Sequence, residues 1–398
     1  MSNIYITGLG IISAIGDNCA QNLDSLKKSK SGIKAIKFLQ TIHKNDFVSG
    51  EIPYSNKELA NIAGIEDFTK HSRTSLLATI AAKEAFKHAN IDINDGLRTG
   101  MVSASSVGGM DVTEDYYLSE ASKENTNYIF THNANNHVEV ICDMLDINDF
   151  SATISTACSS SANAIMNGAR LIKTGRLDRV IVGGTDAMSR FTLNGFNTLM
   201  ILDKNLCTPF DENRKGLNLG EGAAYLVIES EEAVIKSNKK VYAKVLGYAN
   251  ANDAYHQTAS SEEGYGATLA MKQAIESANI SPNDISYINV HGTGTPNNDD
   301  SEGNALKNIY GDNVPPFSST KAFTGHTLGA AGAIEAVFSV LAINENLIYP
   351  NLNLKNNIKK FKFKPVTQLL ENQKVDIVLS NSFGFGGNNS TLIIGKIK

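Results

Sequence analysis

Residues 81–95 and 270–284 repeat one another at a constant offset of 189 in a chain of 398 residues. Ala81, Lys83, Ala85, Ala89, Asn90, Ile91, Asn94 and Asp95 recur as Ala270, Lys272, Ala274, Ala278, Asn279, Ile280, Asn283 and Asp284. Ala-rich helices draw on few residue types, so the match alone is weak. The order of the surrounding segments strengthens it. Each copy ends a helix and leads into an apolar strand: residues 99–105 before the glycine loop Ser106, Val107, Gly108, Gly109, and Ile288, Asn289, Val290 before His291. Each half then offers a helix of small residues, from Cys158 in the first and over about 329–343 in the second, followed by a strand at 179–184 or 376–380. The chain therefore reads as an α/β unit of two duplicated halves, 1–239 and 240–398, meeting face to face. Equivalent element ends then share one interface, which brings Cys158 close to His291 and His326.

Local signals fill in the rest. An apolar opening strand broken by Gly8 and Gly10 precedes a helical spacing over 18–30, a connecting loop over 31–55 and a long helix over 73–90. A hydrophobic share of 42% supports a globular core, and the net charge of −5 with Lys and Arg read as scattered argues against a nucleic-acid partner. Cys19, Cys142, Cys158 and Cys207 lie far apart with no CxxC pair, so neither a zinc site nor a disulfide framework is expected, and a cytoplasmic setting fits. No apolar run is read as approaching the roughly 18 residues of a membrane span.

Cys158 sits in the stretch Ser155, Thr156, Ala157, Cys158, Ser159, Ser160, Ser161, where a short strand meets a helix. A cysteine there is either one more small buried hydrophobe or a nucleophile, with free backbone N–H groups and the helix dipole favouring its thiolate. Two histidine loops decide for the nucleophile. His291 opens the Gly/Thr-rich run Gly292, Thr293, Gly294, Thr295, and His326 closes Lys321, Ala322, Phe323, Thr324, Gly325. One thiol and two imidazoles are the set that carbon–carbon bond formation between two thioesters requires. Sulfur holds one acyl group, and imidazole N–H groups stabilise the enolate that forms on the other as carbon dioxide leaves.

The motifs Thr156-Ala157-Cys158-Ser159-Ser160, Pro209-Phe210-Asp211, Gly220-Glu221-Gly222-Ala223, His291-Gly292-Thr293-Gly294-Thr295, Lys321 through His326, and Phe383-Gly384-Phe385-Gly386-Gly387-Asn388 together resemble those of the elongating β-ketoacyl-acyl-carrier-protein synthases of the thiolase superfamily. The resemblance covers nearly the whole chain. It implies a thiolase-like αβαβα layered fold and no metal or organic cofactor. It also implies an acyl carrier protein as partner, and a homodimer or a heterodimer with a homologous subunit. By position it makes Cys158 the nucleophile and the N–H groups of Cys158 and Phe385 an oxyanion hole. His291 and His326 would stabilise the enolate, with Lys321 orienting the second histidine and Glu335 pairing with Lys321. Thr293 and Thr295 would hydrogen-bond the pantetheine arm, Phe383 would line the substrate site, and Phe385 would gate the acyl tunnel.

The Cys–His–His set differs from the second cysteine of thiolases and from the Cys–His–Asn of starter-condensing synthases. Where the family often has Gly-Pro-Ser before the nucleophile strand and Gly-Thr-Asn after the gate, this chain has Asn148, Asp149, Phe150, Ser151 and Gly387, Asn388, Asn389, and its loop over 201–207 is compact. These departures leave the catalytic set intact and bear on the acyl pocket. The expected reaction is two-carbon extension of a carrier-bound acyl chain in fatty acid synthesis. An elongating ketosynthase of a polyketide or polyene pathway is the alternative, and a non-catalytic partner subunit is opposed by Cys158.

Overall fold

The computed structural model describes residues 3–117 and 127–397. In chain order its principal elements are β1 (Ile4–Ser13), α1 (Arg73–His88), β2 (Thr99–Ala104), β3 (Phe150–Ile154), α2 (Ser160–Lys173), β4 (Arg179–Asp186), α3 (Arg190–Thr198) and β5 (Gly222–Ser230). They continue with β6 (Ala243–Asn252), α4 (Tyr265–Ala278), β7 (Tyr287–Asn289), α5 (Pro296–Tyr310), β8 (Phe317–Ser318), α6 (Ala331–Glu345), β9 (Ile377–Gly384) and β10 (Asn388–Gly395). The strands hydrogen-bond in the order β8-β7-β9-β10-β6-β1-β5-β4-β2-β3. Read outward from the centre, β1-β5-β4-β2-β3 and β6-β10-β9-β7-β8 are one pattern used twice. The senses match as well: β2 is parallel to β3 and β4, as β7 is to β8 and β9, and the inner pairs of both halves are antiparallel. The halves join edge to edge at Tyr5↔Lys244 and Ile6↔Ala243.

Helices fill three layers around the two five-stranded halves of this sheet. Helix α1 covers the outer face of the first, α4 that of the second, and α2 and α6 lie side by side between them. Three buried clusters occupy the gaps. One contains Val102, Ile165, Val182, Ile334, Phe338 and Val378, one contains Leu76, Leu77, Met101 and Ile181, and one contains Met271, Ile275, Ile288 and Leu379. This is the expected αβαβα arrangement of a duplicated α/β chain.

The repeat has a physical cause at two places. Asn90 and Asn279, 189 apart, both adopt left-handed backbone (φ 47° and 54°) just past α1 and α4, where asparagine is tolerated and most residues are strained. Gly8 on β1 and Gly247 on β6 let those helices approach. A Cβ at Gly8 would lie 2.7 Å from Ala89 Cβ, and one at Gly247 would lie 2.7 Å from Ala278 Cβ. A Gly247→Val change is expected to lower unfolding free energy by about 1–3 kcal/mol through overpacking, read from urea unfolding midpoints. An unchanged midpoint would contradict this packing.

Some boundaries shift from the sequence expectation. The first helix is Cys19–Lys27: Asn18 caps its start by accepting from Gln21 N, and the left-handed backbone of Ser29 (φ 54°) ends it short of Lys30. The loop over 31–55 contains a two-residue ribbon, Lys34–Ala35 with Val48–Ser49. The apolar stretch Leu328–Glu345 reaches 18 residues at a mean hydropathy of 1.4, so the reading of no membrane-length run needs correction. It is 89% buried, as the central helix of a layered core must be.

Candidate active site

Cys158 lies between β3 and α2, two residues before the helix begins, with 6% of its surface exposed. The bend before it is held by serines. Ser160 Oγ donates to Ala157 O (2.6 Å) and accepts from Thr156 N (2.8 Å), and Ser106 Oγ donates to Ala157 O (3.0 Å). Ala157 is forced to φ 52°. Gly384 closes on this bend from β9: a Cβ there would stand 3.1 Å from Cys158 N, so only glycine fits comfortably. Burial pushes the Cys158 thiol up to about 11, opposed by the Lys321 charge and by hydrogen bonds from the backbone N–H groups of Phe385 and Cys158. Desolvation thus opposes the thiolate that the backbone donors and the start of the helix favour. Both N–H groups expected as an oxyanion hole do point at the sulfur.

The two histidines come from the second half and pack edge to face, ring centroids 5.3 Å apart. His326 Nδ1 accepts from Leu328 N at 3.3 Å, which leaves the ring proton on Nε2. Burial and the Lys321 charge hold His326 well below its usual pKa, and burial, Lys321 and His326 do the same to His291. Both imidazoles are thus neutral at neutral pH. Lys321 Nζ is 2.5 Å from Glu335 Oε1, both side chains buried. Burial raises the Glu335 carboxyl to about 7 against the pull of that ammonium.

Two cavities meet at the sulfur. The first, about 330 Å³, is lined by Cys158, both histidines, Thr293, Thr295, Phe383 and Phe385, and opens at Thr258, Pro296 and Asn297. The Thr293 and Thr295 hydroxyls are 2.9 Å apart, and the Phe383 ring lies 5.8 Å from His291. The second cavity, about 430 Å³ and almost wholly apolar, is lined by Val107, Cys158, Phe191, Phe196, Leu199, Leu328 and Phe385. Phe385 stacks on Phe196 (5.8 Å, 23°) and lines both spaces. All the residues singled out in the sequence, save the Lys321–Glu335 pair, line the first cavity. Among the described residues no group of three or more His, Cys, Asp or Glu side chains is placed to hold a metal ion.

Sequence comparison decides what this arrangement belongs to. Residues 1–233 match the family model of the beta-ketoacyl synthase N-terminal domain, and residues 242–355 that of the C-terminal domain. The chain belongs to the beta-ketoacyl synthase family. It is 33% identical to a 3-oxoacyl-[acyl-carrier-protein] synthase 2 of Coxiella burnetii, and 33% identical to one of Staphylococcus aureus, over 99% of this chain and 98% of each relative. Among solved structures it resembles the ishigamide ketosynthase/chain length factor (28% identity, TM-score 0.93, all of both chains). It also resembles a ketosynthase, ApeO, in complex with its chain length factor, ApeC, from Xenorhabdus doucetiae (32% identity, TM-score 0.84, 100% of this chain and 98% of that one).

For a beta-ketoacyl synthase of this sequence, several site-building residues escaped the motif reading. Glu302 on α5 accepts from His291 N (2.9 Å), Gly292 N (2.8 Å) and Asn381 Nδ2 (3.0 Å), tying the first histidine loop to α5. Asp186, at the end of β4, accepts from Ser105 Oγ, Ser106 N and Gly329 N, joining the glycine loop to the start of α6. A lone acid ending a buried strand was the available signal for Asp186. Nothing local marked Phe196. The departures at 148–151 and 387–389 line neither cavity. Asn388 instead accepts from Ser159 Oγ, Asn163 Nδ2 and Asn250 Nδ2 beneath the N-terminus of α2.

Proposed function

We propose that this chain catalyses decarboxylative Claisen condensation, extending an acyl thioester on acyl carrier protein by two carbons from malonyl-acyl carrier protein, as in fatty acid biosynthesis. The observation that carries it is the junction of two cavities, one almost wholly apolar and one holding the threonine hydroxyls and both imidazoles, at one thiol. In loading, Cys158 Sγ attacks the acyl carbonyl, whose oxyanion is held by the N–H groups of Cys158 and Phe385. The pantetheine sulfur leaves and takes up the thiol proton. The malonyl thioester then enters along Thr293 and Thr295, and its carbonyl oxygen accepts from His326 Nε2–H and from His291. As the carboxylate departs as carbon dioxide, its bonding electrons pass into the enolate those donors stabilise. The enolate carbon attacks the acyl-Cys158 carbonyl, the carbon–sulfur bond breaks, and the sulfur leaves as a thiolate that regains a proton. The Lys321–Glu335 pair positions His326, and burial together with the Lys321 charge keeps the imidazoles unprotonated.

The apolar cavity suits an alkyl chain, and its exposed rim, Phe191 and Leu199, suits coverage by a second subunit. Likeness to ketosynthase/chain length factor pairs supports a dimer of like or homologous subunits and keeps a polyketide or polyene product as the second reading. Four free thiols suit a reducing cytoplasm. Intact-mass measurement after incubation with carrier proteins bearing saturated or polyunsaturated acyl groups distinguishes the two. Preferential loading of saturated chains supports the first reading, and loading by neither class contradicts both.

Phe385 is the gate between the cavities. Its flanking residues Gly386 and Gly387 are at φ 79° and 75°, and its ring is only partly buried. Phe385→Ala keeps the backbone N–H, so the variant is expected to stay folded and to decarboxylate malonyl thioester without an acyl primer. Loss of about 3–5 kcal/mol in stability with unchanged primer dependence would make the ring packing alone.

A further inference from the structure

The N–H groups of Cys158 and Phe385 that point at the sulfur come from opposite halves of the chain, and no helix or strand contains both. Their spacing must be fixed by contacts between the two segments. Phe385, Gly386 and Gly387 form the three-residue connection between β9 and β10, and Gly384↔Asn388 is the ladder pair that closes it. Two glycines in left-handed backbone give this connection the freedom that a moving ring needs. Its fixed points are the two closing residues, and both meet the nucleophile bend. Gly384 does so by close approach, 3.1 Å from its Cβ position to Cys158 N. Asn388 does so through its side chain.

Asn388 Oδ1 accepts from Ser159 Oγ at 2.8 Å, across 229 positions of sequence, from Asn250 Nδ2 at 2.6 Å and from Asn163 Nδ2 at 3.1 Å. Ser159 is wholly buried and directly follows Cys158, and its single hydroxyl proton is shared with Thr156 O, also 2.8 Å away. Asn163 braces the far side, donating to Thr156 Oγ1 (2.8 Å) and accepting from Ser390 Oγ (2.8 Å). One amide oxygen thus gathers donors from the residue after the nucleophile, from α2 and from β6. We propose that Asn388 is the positioning residue of the oxyanion hole: its Oδ1 ties the β9–β10 connection to Ser159 and holds the Phe385 N–H over the Cys158 sulfur while the Phe385 ring moves. The assignment rests on the acyl transfer proposed above. Asn388 lines neither cavity, so it acts only through these backbone donors. Charge develops on the acyl carbonyl oxygen during loading, and displacing a donor there by about 1 Å can cost ~100-fold in rate. Decarboxylation draws on His291 and His326 instead, which Asn388 does not contact.

The test compares the unmodified chain with Asn388→Leu, which removes the acceptor at similar volume, and Asn388→Asp, which keeps it beside the N-terminus of α2, where an anion is favoured. Three quantities are measured: loading of Cys158 from an acyl carrier protein, carbon dioxide release from malonyl thioester, and the apparent pKa of Cys158 from the pH dependence of its alkylation by iodoacetamide. In Asn388→Leu, loading is expected to slow by about 10- to 100-fold, with carbon dioxide release falling far less. In Asn388→Asp, loading is expected to return close to that of the unmodified chain. The Cys158 pKa is expected to rise in Asn388→Leu, because the Phe385 N–H bond lowers it and the other groups around the sulfur, Lys321, Asp186, His291 and His326, are untouched. Unchanged loading in Asn388→Leu, equal loss of both steps, or an Asn388→Asp variant no better than Asn388→Leu overturns the assignment. An unmodified chain that loads no acyl group contradicts the acyl transfer itself, and alkylation then decides for Asn388: an upward pKa shift in Asn388→Leu supports its positioning role, and an unchanged pKa overturns it.

Discussion

Cys158→Ala is expected to lower condensation by about 1000-fold or more, the scale seen when a covalent nucleophile is removed, while decarboxylation of malonyl thioester survives. The thiol is where the apolar cavity and the histidine cavity meet, and its removal takes away the atom proposed to carry the acyl group between carrier proteins. His291, His326 and the Lys321–Glu335 pair belong to other elements, and alanine leaves their contacts in place. The measurement is product formation and carbon dioxide release from the same reaction, with folding checked by thermal melting. Parallel loss of both activities in a folded variant would mean that Cys158 takes part in the decarboxylation itself.

The converse change is His326→Ala. Its Nε2–H is directed by the Leu328 N bond at Nδ1, and removing a preorganised donor of this kind costs about 100- to 1000-fold in rate. Carbon dioxide release is expected to fall by that amount. Loading of Cys158 from an acyl carrier protein is expected to fall far less, because its oxyanion rests on backbone N–H groups that the substitution leaves in place. Equal loss of the two steps would contradict the division of labour between thiol and imidazoles.

Much of this was legible in the sequence because duplication writes the same constraint twice. Asn90 and Asn279 marked matching helix ends, which the fold makes left-handed, and the helix-to-strand order after them carried through to strand order and sense. What the sequence hid was set by contacts between distant segments. The strand β8 is two residues long, too short for a period-two signal. The Phe196–Phe385 stack joins residues 189 apart, and Glu302 supports His291 from a helix of otherwise polar character. What opposes the Cys158 thiolate was hidden for a related reason. A helix N-terminus is visible in a local stretch, whereas the burial that pushes the Cys158 thiol up to about 11 comes from the whole molecule. The membrane-length apolarity of Leu328–Glu345 likewise makes sense only with sheets on both sides of α6.

In the proposed reaction one cysteine of four holds the acyl chain between the two half-reactions. This is tested most directly by trapping the loaded enzyme with an acyl carrier protein in the absence of malonyl thioester, then digesting it and mapping the acyl group by mass spectrometry. One acyl group per chain is expected, on the peptide containing Cys158, discharged when malonyl-acyl carrier protein is added. An acyl group found on Cys142 or Cys207, or an adduct on Cys158 that malonyl-acyl carrier protein does not discharge, would contradict it.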